Sequence, residues 1–476
     1  MNKLKSNFIY DGAYQILILI IPFITTPYIA RVIGADGSGI YSYTYSIVSY
    51  FMMFALLGMN NYGNREVSKV KDDKEKLNHT FSSIYYLQLL VTICVLAIYL
   101  IYVFQFNSKY FSIELIQMIY IISVAFDINW LFCGLQEFKI TVTRSAVTKI
   151  ITLALIFLFV KSENDLINYI LILAITTLFN QAILWTFLRK ENIKFVKVNK
   201  KDIFKHLKPT LILFIPVIAV SVYKVMDKIM IGKIATVTEV GYYEYSEKML
   251  NIILAVVSAL GTVTLPQMTY LYSQKKFDEY NKIFNKSIEF IFFLVFPVIF
   301  GFLATADDLV FYYLGSEFSK SSILLKILSI SLLFSPVASI VRMQLLIPRN
   351  KDKEYIISVI LGAIINFALN WLLIIKLQSI GAAISTVIAE FIVCIMQLYY
   401  VRKDLNIKEW LNFISEFFIT SLIMFIIVYV IKNIIEIRLL RLIIQICVGI
   451  IVYLILNYKY IITNIDVKKI FNIKSK

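Results

Sequence analysis

The sequence is short of charge and of the side chains that build catalytic and metal centres. Asp, Glu, Lys and Arg make up 16% of its 476 residues, whereas soluble domains usually carry about a quarter. It has two isolated histidines, His79 and His206, and four cysteines without ligand-like spacing, Cys94, Cys133, Cys394 and Cys447. We therefore predict no metal site and no cofactor. The sequence also has no Walker motif, so we predict no ATP hydrolysis.

Long apolar runs take the place of the missing charge. Hydrophobic residues make up 59% of the chain, and runs of about 20 recur, each long enough to cross a bilayer. The runs are continuous rather than alternating, which excludes a transmembrane β-barrel. We predict an all-α polytopic membrane protein with about 14 transmembrane helices. The predicted spans lie near residues 8–33, 40–60, 81–104, 112–133, 145–160, 166–188, 209–231, 241–265, 287–306, 322–346, 355–375, 380–400, 411–431 and 439–458.

The net charge of +16 follows the predicted loops. If the N-terminus is cytoplasmic, the inner loops and tails hold about 33 Lys and Arg and the outer loops about eight. This alternation predicts that both termini and the basic segment 189–208 are cytoplasmic. The excess cations then orient the protein in the cell membrane and contact anionic lipids, so we predict no nucleic-acid partner.

The first and seventh predicted spans share a pattern. Each contains a proline, ends in Ile-Gly and is followed by a glycine with an aromatic cluster: Pro22, Gly34 and Gly39, then Pro216, Gly232 and Gly241. Both copies begin on the predicted cytoplasmic side, which indicates a parallel repeat about an axis along the membrane normal. We predict an N-lobe at residues 1–205, a C-lobe at 206–401, and two further helices with a basic tail at 402–476.

Residues 207–250 carry an unusual density of charge for apolar spans. The seventh span contains Lys224, Asp227 and Lys228, and the eighth contains Glu244, Glu247 and Lys248. The first three share one helical face. An ionised side chain at membrane depth costs roughly 3 kcal/mol, so these groups face a wet cavity or each other. The pattern fits both the polar wall of a pathway and a structural salt-bridge knot.

Four further charges stand apart in the apolar spans. Glu390, midway along the twelfth span, and Asp127, toward the inner end of the fourth, are candidates for coupling to H⁺ or Na⁺. Each also fits a protonated group that is hydrogen-bonded to a neighbouring helix. Arg31 ends the first span and Arg342 lies late in the tenth, and each either faces a cavity or snorkels to the interface.

Four stretches resemble a known family, the polysaccharide flippases of the multidrug/oligosaccharidyl-lipid/polysaccharide exporter superfamily. They are residues 27–41, with Pro27-Tyr-Ile-Ala-Arg31-Val-Ile-Gly34, and residues 58–66, 130–139 and 227–248. Spans nine to fourteen match only by hydropathy and number. The resemblance implies two six-helix lobes, related by a pseudo-two-fold axis along the membrane normal and followed by two extra helices. It also implies a central cationic cavity that accepts an undecaprenyl-pyrophosphate-linked glycan.

The implied function is flipping of lipid-linked O-antigen or capsule repeat units from the cytoplasmic to the outer leaflet, by alternating access. Cations in the cavity would offset the diphosphate charge. The candidate cations are Lys224, Lys228, Lys248, Arg31 and Arg342, and the acids expected to position them are Asp227, Glu244 and Glu247. Polysaccharide assembly proteins are further candidate partners.

Three alternatives remain open. A peptidoglycan-precursor flippase shares the helix number, whereas a drug/cation antiporter is expected to have twelve helices and a more acidic cavity. A membrane polymerase or ligase would need a sizeable outer catalytic loop. The longest candidate, residues 305–321, is short, and its Asp307 and Asp308 have no partner visible in the sequence. We therefore predict a transporter rather than an enzyme, driven by a gradient or by substrate supply.

Overall fold

A computed structural model describes residues 2–106 and 109–464. The side chains of residues 2–20, 216, 219–220, 222–224, 404, 407 and 463–464 lie outside that description. Within the described residues all regular secondary structure is helical, which confirms the predicted all-α class. The chain divides into two compact units, Met1–Gly241 and Tyr242–Lys476. The lobe boundaries at residues 205 and 401 stay a prediction.

The first unit contains long helices and short connecting ones. They are α1 (Asn2–Leu56), α2 (Met59–Val70), α3 (Lys74–Phe106), α4 (Phe111–Ala125), α5 (Asn129–Gly134), α6 (Phe138–Phe159), α7 (Leu166–Ala182), α8 (Leu184–Leu188), α9 (Lys200–Phe204) and α10 (Leu207–Ile234). Helix α11 (Val237–Ser273) begins in this unit and ends in the second.

The second unit also contains long helices and short connecting ones. Its helices are α12 (Phe277–Tyr313), α13 (Ser319–Ser329), α14 (Ser335–Ile340), α15 (Asp352–Leu377), α16 (Ser379–Val401), α17 (Ile407–Ile434), α18 (Arg438–Leu456) and α19 (Tyr458–Asn464). The helices α15 and α16 pack along each other, and α17 and α18 pack against α12.

Twelve stretches of the described residues are long and apolar enough to cross a membrane. One of them, Ile21–Val70, contains residues 21–33 of the first predicted span and all of the second, residues 40–60. The seventh predicted span lies in α10, where several side chains are outside the described residues. A multi-pass membrane protein is thus confirmed, and the count of about 14 stays a prediction.

Helix α1 breaks at Gly34, which has φ 73° and ψ −179°. A positive φ is costly for a side chain with a Cβ, and glycine adopts it freely. Pro22 and Pro27 both lie inside the helix, but the non-helical residue is the glycine. The helix resumes directly after Gly34, so the gap between the first two predicted spans, residues 34–39, is helical apart from this glycine.

The tenth predicted span, residues 322–346, is not one regular helix. The structure divides it into α13, α14 and a π-helical turn, Val341–Leu346. Pro336, in the first turn of α14, and Pro348, just after the π turn, each lack the N–H that a continuous helix needs. Irregular turns of this kind often occur at functional positions in membrane helices, and this one carries Arg342.

Helix α1 and the start of α11 approach closely enough for their backbones to meet, and the Thr238 hydroxyl also donates to the Asp36 carboxylate. A Cβ on Gly39 would collide with the carbonyl oxygen of Val237, and a Cβ on Gly241 would collide with that of Ala35. The contact is reciprocal, because each glycine meets the residue four positions before the other. Small residues allow such close approach between membrane helices. Gly39 and Gly241 are also the glycines that the predicted repeat pairs.

His206 ties α10 to two other helices. Its Nδ1 lies 2.6 Å from the hydroxyl of Tyr62 on α2, and its Nε2 lies 2.9 Å from that of Ser83 on α3. The side chain is 5% exposed. Burial lowers the pKa of His206 to about 4, so the folded protein keeps the imidazole neutral at physiological pH.

We expect His206 to make the protein acid-sensitive. In the unfolded chain its pKa is near 6.5, so between pH 6.5 and 4 the unfolded state binds more protons and folding stability falls as the pH drops. The loss is at most about 3 kcal/mol. Melting temperatures from pH 7 to pH 4.5 should fall less steeply in His206→Gln than in the wild type. His79→Gln, at a half-buried histidine whose Nε2 lies 3.5 Å from Asp202, is the comparison variant. Parallel curves for the wild type and His206→Gln would contradict the expectation.

Candidate functional site

Helix α10 carries the charged face predicted for the seventh span, and two contacts hold it against α1. Gly232 lies so close to the Tyr43 ring that a Cβ there would collide with it. Nearer the middle of α10, the Tyr50 hydroxyl donates to the backbone oxygen of Ser221 over 3.3 Å. Asp227 and Lys228 lie between these two contacts, so packing of α10 on α1 fixes the backbone that presents them.

Asp227 is 2% exposed and Lys228 is half-buried. An acid at this depth needs compensation by a cation or by hydrogen bonds. The side chain of Lys224, the third member of the predicted face, lies outside the described residues. Arg31 is exposed on α1. The assignment of these residues to a cavity stays a prediction.

In the second unit, an acid on α11 contacts a candidate cation. The carboxylate of Glu244 lies 3.1 Å from the Lys248 ammonium, one helical turn away. That ammonium is also 4.9 Å from the centroid of the Tyr245 ring, a cation–π contact. Glu247 is half-buried on the same helix. The contact with Glu244 is the geometry that a positioning role requires, although the role itself stays a prediction.

Arg342 is held by one aromatic residue of α15. Its Nη1 donates to the Tyr355 hydroxyl over 3.1 Å, and its guanidinium lies 5.3 Å from the centroid of that ring. Its Nε is buried and has no hydrogen-bond partner among the described residues. The π turn therefore presents a half-buried guanidinium with a donor left for another acceptor.

Asp127 lies in a buried polar network rather than alone. It is 8% exposed, and its carboxylate accepts from the backbone N–H of Asn129 over 2.9 Å, at the start of α5. Arg144, also 8% exposed, donates to Asn180 and Gln181 of α7 and, over 3.4 Å, to the Asn129 side chain. These contacts give Asp127 a part in joining α4, α5 and α6. Coupling at Asp127 is untested.

Sequence reasoning missed Arg144. The fifth span was predicted to begin at residue 145, which placed this arginine at the membrane edge. The structure begins α6 at Phe138, so Arg144 lies nearly two turns inside the helix. The polar residues around it, at 141, 143, 145 and 148, hid the start of the helix from a hydropathy argument.

Glu390 lies on α16 and is half-buried. The neighbouring Phe391 packs on Phe334, with ring centroids 5.2 Å apart. Among the described residues Glu390 forms no hydrogen bond or ion pair. A carboxyl group in apolar surroundings is a candidate for proton or cation exchange.

If Glu390 couples transport to an ion, Glu390→Gln should abolish the gradient dependence of transport in vesicles and leave the melting temperature nearly unchanged. The amide keeps the shape of the side chain but cannot exchange a proton or ligate a cation through a charge. Glu317→Gln, at an exposed site, is the matched control. Unchanged ion dependence in Glu390→Gln would return this residue to a structural role.

The structure supplies the partners of Asp307 and Asp308 that the sequence did not show. Asp308 accepts from Arg441 Nε over 2.6 Å and from its Nη2 over 2.7 Å. Asp307 lies 2.7 Å from the Lys326 ammonium and 3.5 Å from that of Lys432. Sequence could not show this, because Arg441 is 133 residues from Asp308. Among the described residues no group of three His, Cys, Asp or Glu side chains is placed to hold a metal.

Within the part of the chain that the structure describes, twelve candidate spans, several of which carry partly buried charges, define a multi-pass membrane protein by architecture. The fold matches a solved structure of the lipid II flippase MurJ in its inward closed conformation, with a TM-score of 0.76. The match covers 97% of this chain and 99% of that one, at 18% identity. The chain therefore shares the fold of that solved structure.

The family model described as "Polysaccharide biosynthesis protein" matches residues 4–272, and the chain belongs to that family. A putative O-antigen transporter of Escherichia coli K12 is 22% identical over 406 residues, 84% of this chain and 97% of the relative. The probable low-salt glycan biosynthesis flippase Agl15 of Haloferax volcanii is 26% identical over 239 residues, half of each chain. The predicted membership of the polysaccharide flippases is confirmed.

Proposed function

We propose that the protein flips an undecaprenyl-pyrophosphate-linked oligosaccharide repeat unit from the cytoplasmic to the outer leaflet, for surface polysaccharide biosynthesis. One observation carries the proposal: partly buried cations and acids lie together inside apolar helices, as Glu244 and Lys248 do 3.1 Å apart. Family membership and likeness to an O-antigen transporter along most of its length support the same function.

The chemistry of the substrate explains why such cations are needed. A diphosphate crossing an apolar slab loses its hydration, and a charge there is costly unless opposite charges replace the water. Lys224, Lys228, Lys248, Arg31 and Arg342 are the proposed phosphate contacts. We assign Asp227, Glu244 and Glu247 to holding the lysines in place while the site is unloaded. Transport then proceeds by alternating access in a cationic cavity, with H⁺ or Na⁺ as the candidate coupling ion.

The second candidate is a peptidoglycan-precursor flippase, which the likeness in fold to MurJ favours. Both functions move a polyprenyl diphosphate with an attached glycan, so the charges alone do not separate them. A drug/cation antiporter fits less well, because the half-buried lysines and arginine would repel a cationic drug. A polymerase also fits less well, because the outer acids Asp307 and Asp308 are occupied by ion pairs.

The orientation proposed for transport places both termini in the cytoplasm. Single cysteines at Ser162, Thr236 and Ser316, all exposed in the structure, should react with an impermeant thiol reagent from outside intact cells. A cysteine at Asn199, in the basic segment, should react only after permeabilisation. The four native cysteines are replaced in each variant. The reverse labelling pattern would refute the orientation.

The function itself is tested by deleting the gene in its host and locating the lipid-linked intermediates. A flippase predicts that repeat units accumulate on the cytoplasmic leaflet and that surface polysaccharide is lost. A polymerase predicts translocated but unpolymerised units. Accumulation of a peptidoglycan precursor instead would favour the second candidate, and normal distributions of both intermediates would refute flipping.

A further inference from the structure

Helices α1, α6 and α7 of the first unit line a half-open cavity of about 320 Å³. Small-molecule sites occupy roughly 300–1,000 Å³, so the volume is sufficient for a compact ligand. The lining is unexpectedly polar for a space between membrane helices. It includes Thr25, Thr148, Lys149, Thr152, Thr176 and Asn180. None of these residues belongs to the charged face or to the lone charges described above.

One face of α6 supplies much of that lining. Ser145, Thr148, Lys149 and Thr152 follow the spacing i, i+3, i+4 and i+7, which places them in one row along a helix. Apolar residues occupy most of the intervening positions, including Ile150 and Ile151, both exposed. The helix is therefore amphipathic within the membrane, with its polar row turned into the cavity.

The hydroxyl groups in the cavity present acceptors rather than donors. Thr148 donates to the backbone oxygen of Arg144 over 3.0 Å, and Thr152 donates to that of Thr148 over 2.8 Å. On α7, Thr176 donates to the oxygen of Ile172 over 2.7 Å. Each hydroxyl proton is thus used within its own helix, and the oxygen keeps lone pairs for a ligand.

Asn180 adds a further acceptor. Its Oδ1 is buried and has no hydrogen-bond partner within the described part of the chain. A buried acceptor that is left unsatisfied costs roughly 1–3 kcal/mol. A turn of the Asn180 side chain toward the cavity would present this oxygen to a ligand hydroxyl, and the donated proton would remove that cost.

Lys149 contributes the opposite chemistry. It is half-buried, and it forms no ion pair or hydrogen bond with another described residue. An ammonium offers three donors and no acceptor. The cavity thus combines several acceptors with one cationic donor. Its complement is a compact molecule that carries several hydroxyl groups and one negative charge.

We infer that this cavity binds an acidic sugar, with the ring hydroxyls donating to the threonine oxygens and Asn180, and the carboxylate on Lys149. A free cation would be repelled by Lys149, and an apolar lipid chain would leave the acceptors unsatisfied. The inference rests on the proposed function, because it assigns a glycan-recognition site to the same transporter. It also names a substrate class, glycans that contain a uronic acid.

The test uses the purified full-length protein in nanodiscs, with Thr152→Cys as the only cysteine. The probes are glucuronate and glucose, and the readout is the rate at which a small methanethiosulfonate reagent labels the cysteine. Glucuronate should slow labelling severalfold at concentrations where glucose has a weaker effect. Lys149→Met should raise the glucuronate concentration needed for protection by about tenfold or more, and Lys149→Arg should restore part of it.

Lys190→Met, an exposed lysine outside the cavity lining, is the matched control and should leave protection unchanged. If Lys149→Met does not fold, Asn180→Asp replaces it, because a carboxylate there should repel glucuronate and spare glucose. Protection that survives both substitutions, or no protection in the parent protein, would overturn the site. The labelling experiment can refute the sugar site while repeat units still accumulate on the cytoplasmic leaflet of the deletion strain. In that case only the sugar site fails, and the flippase function is retained.

Discussion

Replacing Lys228 with alanine is expected to weaken binding of a diphosphate-linked lipid by roughly 10- to 100-fold, or about 1.5–3 kcal/mol. The reason is the loss of a charge-assisted contact in a partly dehydrated site, and the effect is smaller where water remains. Lys224→Ala should behave in the same way. Lys228→Arg should rescue part of the binding, because the charge survives while its geometry changes. Asp227→Asn should weaken binding less, since it removes no cation.

The alternative for this helix face is a structural salt-bridge knot, and it predicts a different order. Removing either lysine or Asp227 would then strand a buried charge, so that melting temperature and expression fall together. The deciding measurements are export in cells and the melting temperature of the same purified variants. Lys233→Ala, at the exposed end of α10, is the control. Stability losses that track export losses at all three positions would refute the cavity assignment.

The second large effect is expected at the ion pair that joins α18 to α12. The side chains of Arg441 and Asp308 are 13% and 9% exposed and share two hydrogen bonds. Arg441→Met leaves a nearly buried carboxylate without its cation, and we expect a loss of about 3 kcal/mol in the free energy of unfolding. The double variant Arg441→Met with Asp308→Leu should recover most of it, because no isolated charge remains.

A neighbouring pair in the same cluster provides the control. Lys326 and Asp307 are 27% and 46% exposed, so Lys326→Met should cost less than about 1 kcal/mol. Melting curves of the three variants and of the wild type measure both effects. Two results would contradict this: equal losses of unfolding free energy for Lys326→Met and Arg441→Met, or no recovery in the double variant. Either would show that burial of the Asp308–Arg441 pair does not stabilise the contact between α12 and α18.

The helices and their class were predictable because a membrane leaves the backbone few alternatives. With no water to satisfy N–H and C=O groups, an apolar run must form a helix, and runs such as residues 355–375 and 380–400 do so in α15 and α16. The breaks between consecutive helices were harder to predict. Between α4 and α5 the apolar character continues through Ile128, so hydropathy gave no sign of the break at Asp127.

The candidate site was predictable in its residues but not in their partners. Spacing along one helix placed Glu244 and Lys248 one turn apart, and the structure gives them a contact. Arg342 with Tyr355, and Asp308 with Arg441, depend on how separate helices pack, which no local pattern encodes. Lys149 was missed as a site residue for another reason. A single lysine among threonines scarcely alters the mean hydropathy of its span.

If the predicted repeat arose by internal duplication, the reciprocal contact of Gly39 with Val237 and Gly241 with Ala35 has a consequence for how the two copies diverged. Before fusion, the ancestral half would have formed such a contact between two identical chains. Every mutation would then have changed both sides of the contact at once. Fusion removes that constraint, because each side now mutates independently. Counted back from the Ile-Gly exit, Asp227 and Lys228 correspond to Ile29 and Ala30, which carry no charge. The backbone contact could thus be retained while only one half acquired a charged helix.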